Sequence, residues 1–425
     1  MDSSEITLEA ISSVSQIAAE DWNACANPVP CSALDGLGTQ ALPENSGSNS
    51  KNYYNPFLSH AFFFSLEASG SACARSGWAP RHLLARRDDA IAGIVPCYLK
   101  SHSQGEYVFD RGWADAYERA GGRYYPKLQV SVPFTPVTGP RLLIRDGVDR
   151  DEIGSALATG IVALCQATKA SSAHVTFAPE MESKLLARHG FLQRTDQQFH
   201  WQNHDYGSFD DFLATLNSRH RKAIRRERRE ALAAGITIHT LTGSEITEEA
   251  WDAFFAFYMQ TGSRKWGRPY LNRAFFSLIG ESMAKDVLLI MARRNNRWIA
   301  GAINFVGSDT LFGRNWGAIE HHPFLHFEVC YYQAIDFAIA RGLKTVEAGA
   351  QGEHKLARGY RPTLTYSAHE FADARLARAI ADYLGHERVA VERTIAHYED
   401  YAPFRRGDGA AQGAEQMGEA FDADV

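Results

Sequence analysis

No run of the roughly 18 to 20 apolar residues that a membrane-spanning helix needs occurs in the 425-residue chain, so integral membrane association is not expected. The opening residues, MDSSEITLEA, are acidic and lack a basic stretch followed by an apolar one, which argues against a secretory signal. Cysteine is sparse: Cys25, Cys31, Cys73, Cys97, Cys165 and Cys330 are scattered with no C-x-x-C pair. That usage reads as reduced thiols in a cytoplasmic protein, not a disulfide framework. Neither sign of charge is in large excess, with Lys+Arg 44 against Asp+Glu 50 and a net charge of -6. A surface wholly devoted to nucleic acid is thereby excluded, and no DNA partner is expected, while a local basic site is still allowed. No G-x-S-x-G elbow is present, so nothing points to a covalent serine nucleophile. What the chain does have is 45% hydrophobic and 12% aromatic residues, enough for a sizeable core in two or three domains.

Two segments break that globular character. Residues 28–52, PVPCSALDGLGTQALPENSGSNSKN, are rich in Pro, Gly, Ser and Asn without a period, and read as a loop. The string GLGTQA within it fits a dinucleotide fingerprint on paper. It lacks the flanking strand and helix that would make it one, so we read it as a chance match. The residues from Arg406 onward are rich in Gly, Ala and acids and read as a frayed end.

Between these segments the sequence repeats itself. HLLARRDDAIAGIVPCYL (82–99) resembles LLIMARRNNRWIAGAINFV (288–306), and Phe109-x-Arg111-x-Trp113 resembles Phe312-x-Arg314-x-Trp316. The nearly constant spacing of these matches argues for two copies of one unit. Each copy starts as an apolar run, a short polar turn and a second apolar run, which is a β-hairpin pattern. A third strand is expected next, and in this reading it carries Arg111 and Trp113 in one copy and Arg314 and Trp316 in the other. Helices are expected over 151–170 and 326–341, the second stopped by Gly342, followed by short strands at 174–178 and 345–349. A small helix, a glycine and an aromatic close each copy, at Gly190-Phe191 and Gly359-Tyr360. The expected division is an N-terminal helix and loop (1–52), a first domain (53–205), a second domain (206–405) and a tail (406–425).

This order of elements, with the strings NPFLSHAFFFSLE (55–67), YYPKLQVSVPFTPVTGPRLL (124–143), NSRHRKAIRRERRE (217–230) and VEAGAQGEHKLARGYRPT (346–363), resembles the FemAB-like N-acyltransferases associated with peptidoglycan biosynthesis or recognition. The resemblance implies an α+β protein of two tandem GNAT-like domains, mixed sheets flanked by helices. It also implies transfer of an acyl group to an amine, with acyl-CoA as candidate co-substrate and no permanently bound cofactor. Aminoacyl-tRNA is the alternative donor, for a cell-wall-precursor-like amine, and a precursor-binding module without catalysis is the third reading. One departure bears on the donor. The Q/R-x-x-G-x-G/A loop that holds coenzyme A pyrophosphate is replaced by GAIEHHPFLHFE (317–328), where Glu320 is expected to face the phosphates.

Amide formation requires a base for the amine and donors for the carbonyl oxygen. The densest candidate group is Glu347, Gln351, Glu353, His354, Lys355, Arg358 and Tyr360, on a turn flanked by Gly349 and Gly352. There Glu353 or His354 is the expected base, with Glu347 next in line, Tyr360 the acid, and Lys355 and Arg358 the anion anchors. Arg221, Arg225 and Arg228 fall at i, i+4 and i+7 and form a candidate phosphate-binding face. Lys127, with Gln129 and Thr135, sits in a segment braced by four prolines and reads as a wall of a cleft or a rigid connector. The pairs Arg111–Trp113 and Arg314–Trp316 read either as half-buried structural pairs or as substrate contacts, and the resemblance, which implies that donor or acceptor lies across the third-strand region, makes Arg314 the better candidate for binding substrate. His321, His322 and His326 lack cysteine partners at ligand spacing, so no metal is expected. Glu328 and Tyr332, one turn apart, either face the site or form a core pair. The expected location of the active site is the second copy, facing the cleft between the two.

Overall fold

The computed structural model describes residues 5–28, 54–266, 269–349 and 352–405. The GLGTQA string, Gln351 and the tail from Arg406 lie outside them. The chain divides into two compact units: residues 1–194, 270–283 and 366–384 form one, and residues 195–269, 284–365 and 385–425 the other.

The first unit contains a four-stranded antiparallel sheet in which the hairpin His82–Arg87 and Ala90–Val95 lies between Ile6–Ile11 and Leu143–Ile144. A second set of strands runs Trp78–Pro80, Cys97–Lys100, Lys127–Val130, Ser172–Ala178 and the end of Arg361–Phe371. Leu83, Val95, Leu128 and Val175 pack in one core with Ile153, Leu157 and Ile161 of the helix Arg150–Ala167. In the second unit the strands run Thr237–Thr242, Val287–Arg294, Arg297–Val306, Thr310–Ala318, Thr345–Glu347 and the end of Leu192–Gln202.

The repeat is real at the level of single turns. Asp88 and Asp89 adopt φ of 50 and 62, and Asn295 and Asn296 adopt 49 and 60, the paired positive φ of a type I′ hairpin turn. Asp and Asn tolerate this left-handed geometry better than other non-glycine residues. The shared Ile-Ala-Gly has a packing reason. A Cβ on Gly93 would come within 2.8 Å of Ile153, and one on Gly301 within 2.5 Å of Met291 Sδ.

Each copy continues with a parallel strand pair, a helix between its strands and a last antiparallel strand, the order of a GNAT-like unit. Those last strands are exchanged. Leu192–Gln202 follows the first copy in sequence but pairs in the second unit, Glu347 opposite His200. Arg361–Phe371 follows the second copy but pairs in the first, His369 opposite His174.

One expected strand is a helix. Arg111 and Trp113 lie in Arg111–Arg119, where Trp113 and Ala114 are buried and Tyr117 packs beside them against Phe371 and Leu376. Three alternating residues fit either period, and the apolar spacing over the following turn decided for the helix. The third strand of that copy is Lys127–Val130 instead.

Candidate functional site

In the second copy the parallel pairing runs through Thr310–Thr345, Leu311–Val346 and Phe312–Glu347 and then stops, while the first strand continues to Ala318. Beyond Glu347, Gly349 adopts φ 80, and Gly352 (φ 114) opens a glycine-bounded 3-10 turn, Glu353–Arg358, closed by Gly359 (φ 85). The first copy has the same break after Val130 and Val175. There the chain fills it: Gly139 donates its N–H to Phe177 O at 3.1 Å, and the fully buried Arg141 donates to Thr176 O at 2.9 Å and Gly139 O at 2.8 Å. In the second copy Arg314 and the glycine turn line the break.

That turn gathers most of the predicted residues. Lys355 is 2% exposed and donates to the carbonyls of Ala348 at 2.7 Å and Gly349 at 3.0 Å. No carboxylate forms an ion pair with it among the described residues, and burial pushes its pKa down to about 7. An amine in that state can take up or release a proton near neutrality, which differs from the anion anchor expected of it. His354 Nε2 shares a hydrogen bond with the buried Tyr331 hydroxyl at 2.9 Å. Burial raises the Tyr331 pKa, so this phenol keeps its proton. Arg358, expected to hold a donor, is occupied by protein. It donates to His354 O at 2.8 Å and to both Glu227 oxygens at 3.0 and 3.1 Å, with its guanidinium 3.3 Å from the Phe327 ring centre. Glu347 accepts from Arg314 at 2.6 Å with both side chains buried. Glu353 is exposed and accepts from the Tyr398 hydroxyl at 2.5 Å. Tyr360 is fully buried, and its hydroxyl has no hydrogen-bond partner among the described residues.

The basic helix, Ser218–Ala231, does not present its expected arginines as one face. Arg228 turns inward to Glu328 (3.0 Å) and Asp336 (2.6 Å), Arg221 reaches Leu216 O at 3.4 Å, and Arg225 pairs with Asp210 at 2.7 Å. The exposed side chains Arg219, Lys222, Arg226 and Arg229, at i, i+3, i+7 and i+10, form the outward stripe. Lys127 is fully buried and bonds Glu106 at 2.7 Å, Ser103 at 2.8 Å and Asp110. A cation neutralised in this way is an internal tie, not a ligand contact. Glu320, expected to face phosphates, pairs with Arg294 at 2.8 Å and His322 at 2.9 Å. Glu328 and Tyr332 are both buried: the first binds Arg228, and the second donates to Glu227. No group of three or more potential metal ligands occurs among the described residues.

Two contributors were missed. Glu227 looked like partial charge compensation in a basic run, yet it is an internal anchor. Tyr331 lay on the apolar face of its helix, and its hydroxyl gave no signal in the sequence. The available clue to the first was an acid in line with Ile224 and Ala231, the apolar positions of a strongly basic helix.

Among solved structures, the chain is similar to FemX at 13% identity, covering 74% of this chain and 93% of that one with a TM-score of 0.48. It is similar to L-PGS from Bacillus licheniformis at 9% identity (79% and 98% covered, TM-score 0.47). A tandem GNAT protein from the clavulanic acid biosynthesis pathway shows 12% identity (87% and 99% covered, TM-score 0.42). No curated protein matches the sequence. The model of one family matches residues 13–406, nearly the whole of what is described: this chain belongs to the FemAB-like family of peptidoglycan biosynthesis and recognition.

Proposed function

We propose that the protein is an N-acyltransferase that joins an activated acyl group to an amine by direct attack, at the glycine turn of its second copy. The observation that carries this reading is Lys355. It is a buried amine whose hydrogen bonds, among the described residues, go to two backbone carbonyls, next in sequence to the His354–Tyr331 pair, where a parallel strand pair breaks. Burial makes the neutral amine accessible near neutral pH. In the reaction the acceptor nitrogen attacks the donor carbonyl. The C–N bond forms, the bond to the donor's sulfur or oxygen breaks, and the amine's proton passes to Lys355 or His354. The departing thiolate or alkoxide takes up a proton. Such proton transfer contributes roughly 10²- to 10⁴-fold to a rate.

Acyl-CoA is the first candidate donor. Aminoacyl-tRNA is the second, and one feature favours it: the helix after the strand starts at Leu325 behind Phe324 (φ 62), with no glycine cradle for a pyrophosphate. The family description supports a peptidoglycan-precursor amine as acceptor. The test presents the purified protein with acyl-CoAs and with charged tRNAs against precursor amines, with product read by mass spectrometry. An amide product that disappears in Lys355→Met or His354→Gln supports the proposal. Precursor binding with no product from either donor class would instead make the protein a binding module.

A further inference from the structure

We infer that Glu227 is a positioning residue that holds both members of the His354–Tyr331 pair in place. This rests on the proposed role of the glycine turn. Glu227 lies on the basic helix and is 9% exposed. Its carboxylate accepts from Arg358 Nη2 with both oxygens, at 3.1 and 3.0 Å. Arg358 in turn donates from Nη1 to the backbone carbonyl of His354 at 2.8 Å. One arm of the clamp therefore ends on the main chain of the histidine.

The other arm ends on the tyrosine. Glu227 Oε2 also accepts from the Tyr332 hydroxyl. Tyr332 and Tyr331 are consecutive in a π turn, Glu328–Tyr332, set into the helix between Leu325–Phe327 and Gln333–Ala340. Single π turns of this kind are frequent at functional sites. The next residue on the basic helix grips the same turn and the helix after it, since Arg228 binds Glu328 at 3.0 Å and Asp336, on Gln333–Ala340, at 2.6 Å. Residues 227 and 228 thus hold the π turn from one side, and Glu227, through Arg358, also holds the 3-10 turn that carries His354. A single carboxylate sets the spacing of the 2.9 Å contact between the two rings.

A buried carboxylate with an arginine and a phenol as partners could also be a plain stability element, so the test needs a readout that stability does not move. Nitrogen-15 spectra of the histidine side chains, with the His354 signal identified by its loss in His354→Gln, report the ring's hydrogen bond without any substrate. In Glu227→Gln, which keeps size and the Tyr332 contact but weakens the hold on Arg358, the His354 signal should shift and broaden. Glu227→Asp should restore part of the wild-type signal. Arg358→Lys should shift it in the same way, because a lysine cannot hold the carboxylate and the His354 carbonyl through one planar fork. Once a donor and acceptor are known, kcat should fall by up to about 10²-fold with KM within about twofold, the cost of a displacement of about 1 Å. Folded Glu227→Gln and Arg358→Lys variants whose His354 signals superimpose on wild type would overturn the inference. A shifted signal in variants of a protein whose turnover ignores His354→Gln would leave the clamp standing and defeat the catalytic assignment of His354 instead.

Discussion

Arg314 reaches from one strand of the parallel pair to Glu347 on the other, Nη2 to Oε1 at 2.6 Å, with 5% and 1% of the side chains exposed. The pair sits where the strands part company, so its first duty is to hold that break. Removing one member of a buried ion pair leaves an uncompensated charge and typically costs about 3–5 kcal/mol. Arg314→Ala should therefore lower the urea midpoint strongly, and Arg314→Met with Glu347→Leu together should recover most of the loss. A double variant as unstable as the single one would mean that the packing of Arg314, whose guanidinium lies 5.3 Å from the Phe312 ring centre, outweighs its charge.

Gly352 shapes the same turn from the other end. Its φ is 114, and a Cβ there would lie 2.7 Å from the His354 ring. Gly352→Ala should cost about 1–3 kcal/mol of backbone strain and displace His354 from Tyr331. Gly385, inside the helix Ala374–Asp400, has nothing within 4 Å of an added Cβ. Gly385→Ala should then stabilise by about 0.5–1 kcal/mol through helix propensity alone. Thermal midpoints of the two variants, moving in opposite directions, check both statements.

The sequence disclosed the duplication because hairpin turns and small packing residues are local requirements. Asp88-Asp89 and Asn295-Asn296 must tolerate positive φ, and Gly93 and Gly301 must admit a close neighbour, whatever the rest of the chain does. The glycine turn was legible for the same reason. The roles inside it were not, because they depend on who meets whom. Arg358 and Arg228 carry the right charge for an anion, and the fold gives each a carboxylate from a distant segment, Glu227 and Glu328. Lys127 is likewise consumed by Glu106 and Asp110. Nor could the exchange of last strands be read, since alternation fixes which face of a strand is buried but not which partner it pairs with.

The basic helix separates into an inward and an outward set, and the two should respond differently to charge reversal. Arg228→Glu would place a third carboxylate beside Glu328 and Asp336, and should destabilise the fold at any salt concentration. Lys222→Glu with Arg226→Glu alters only exposed positions, where ion pairs contribute little, and should leave the midpoint nearly unchanged. If the outward stripe meets an anionic substrate, that double variant weakens its binding and flattens the salt dependence. Equal stability losses in the two variants would contradict this division.

Lys355 makes a prediction about pH whose direction follows from its burial. Its pKa is pushed down from 10.5 to about 7 in the folded protein. Below about pH 7 the amine is charged in both folded and unfolded chains, and the folded protein bears the full cost of burying it. Between about 7 and 10.5 the unfolded chain binds the proton and the folded one does not, so this group makes stability rise with pH across that window. Lys355→Met lacks the group. Its advantage over wild type in urea midpoint should be largest at pH 6 to 7 and shrink steadily through pH 8 and 9. Turnover should show the same titration from the other side: if the neutral amine accepts the acceptor's proton, kcat/KM rises through about pH 7 and then levels, and that rise is lost in Lys355→Met. A rise that persists in Lys355→Met but disappears in His354→Gln would move the base to the histidine. In that case the shrinking stability difference remains, because it depends only on where the amine is buried and not on what it does.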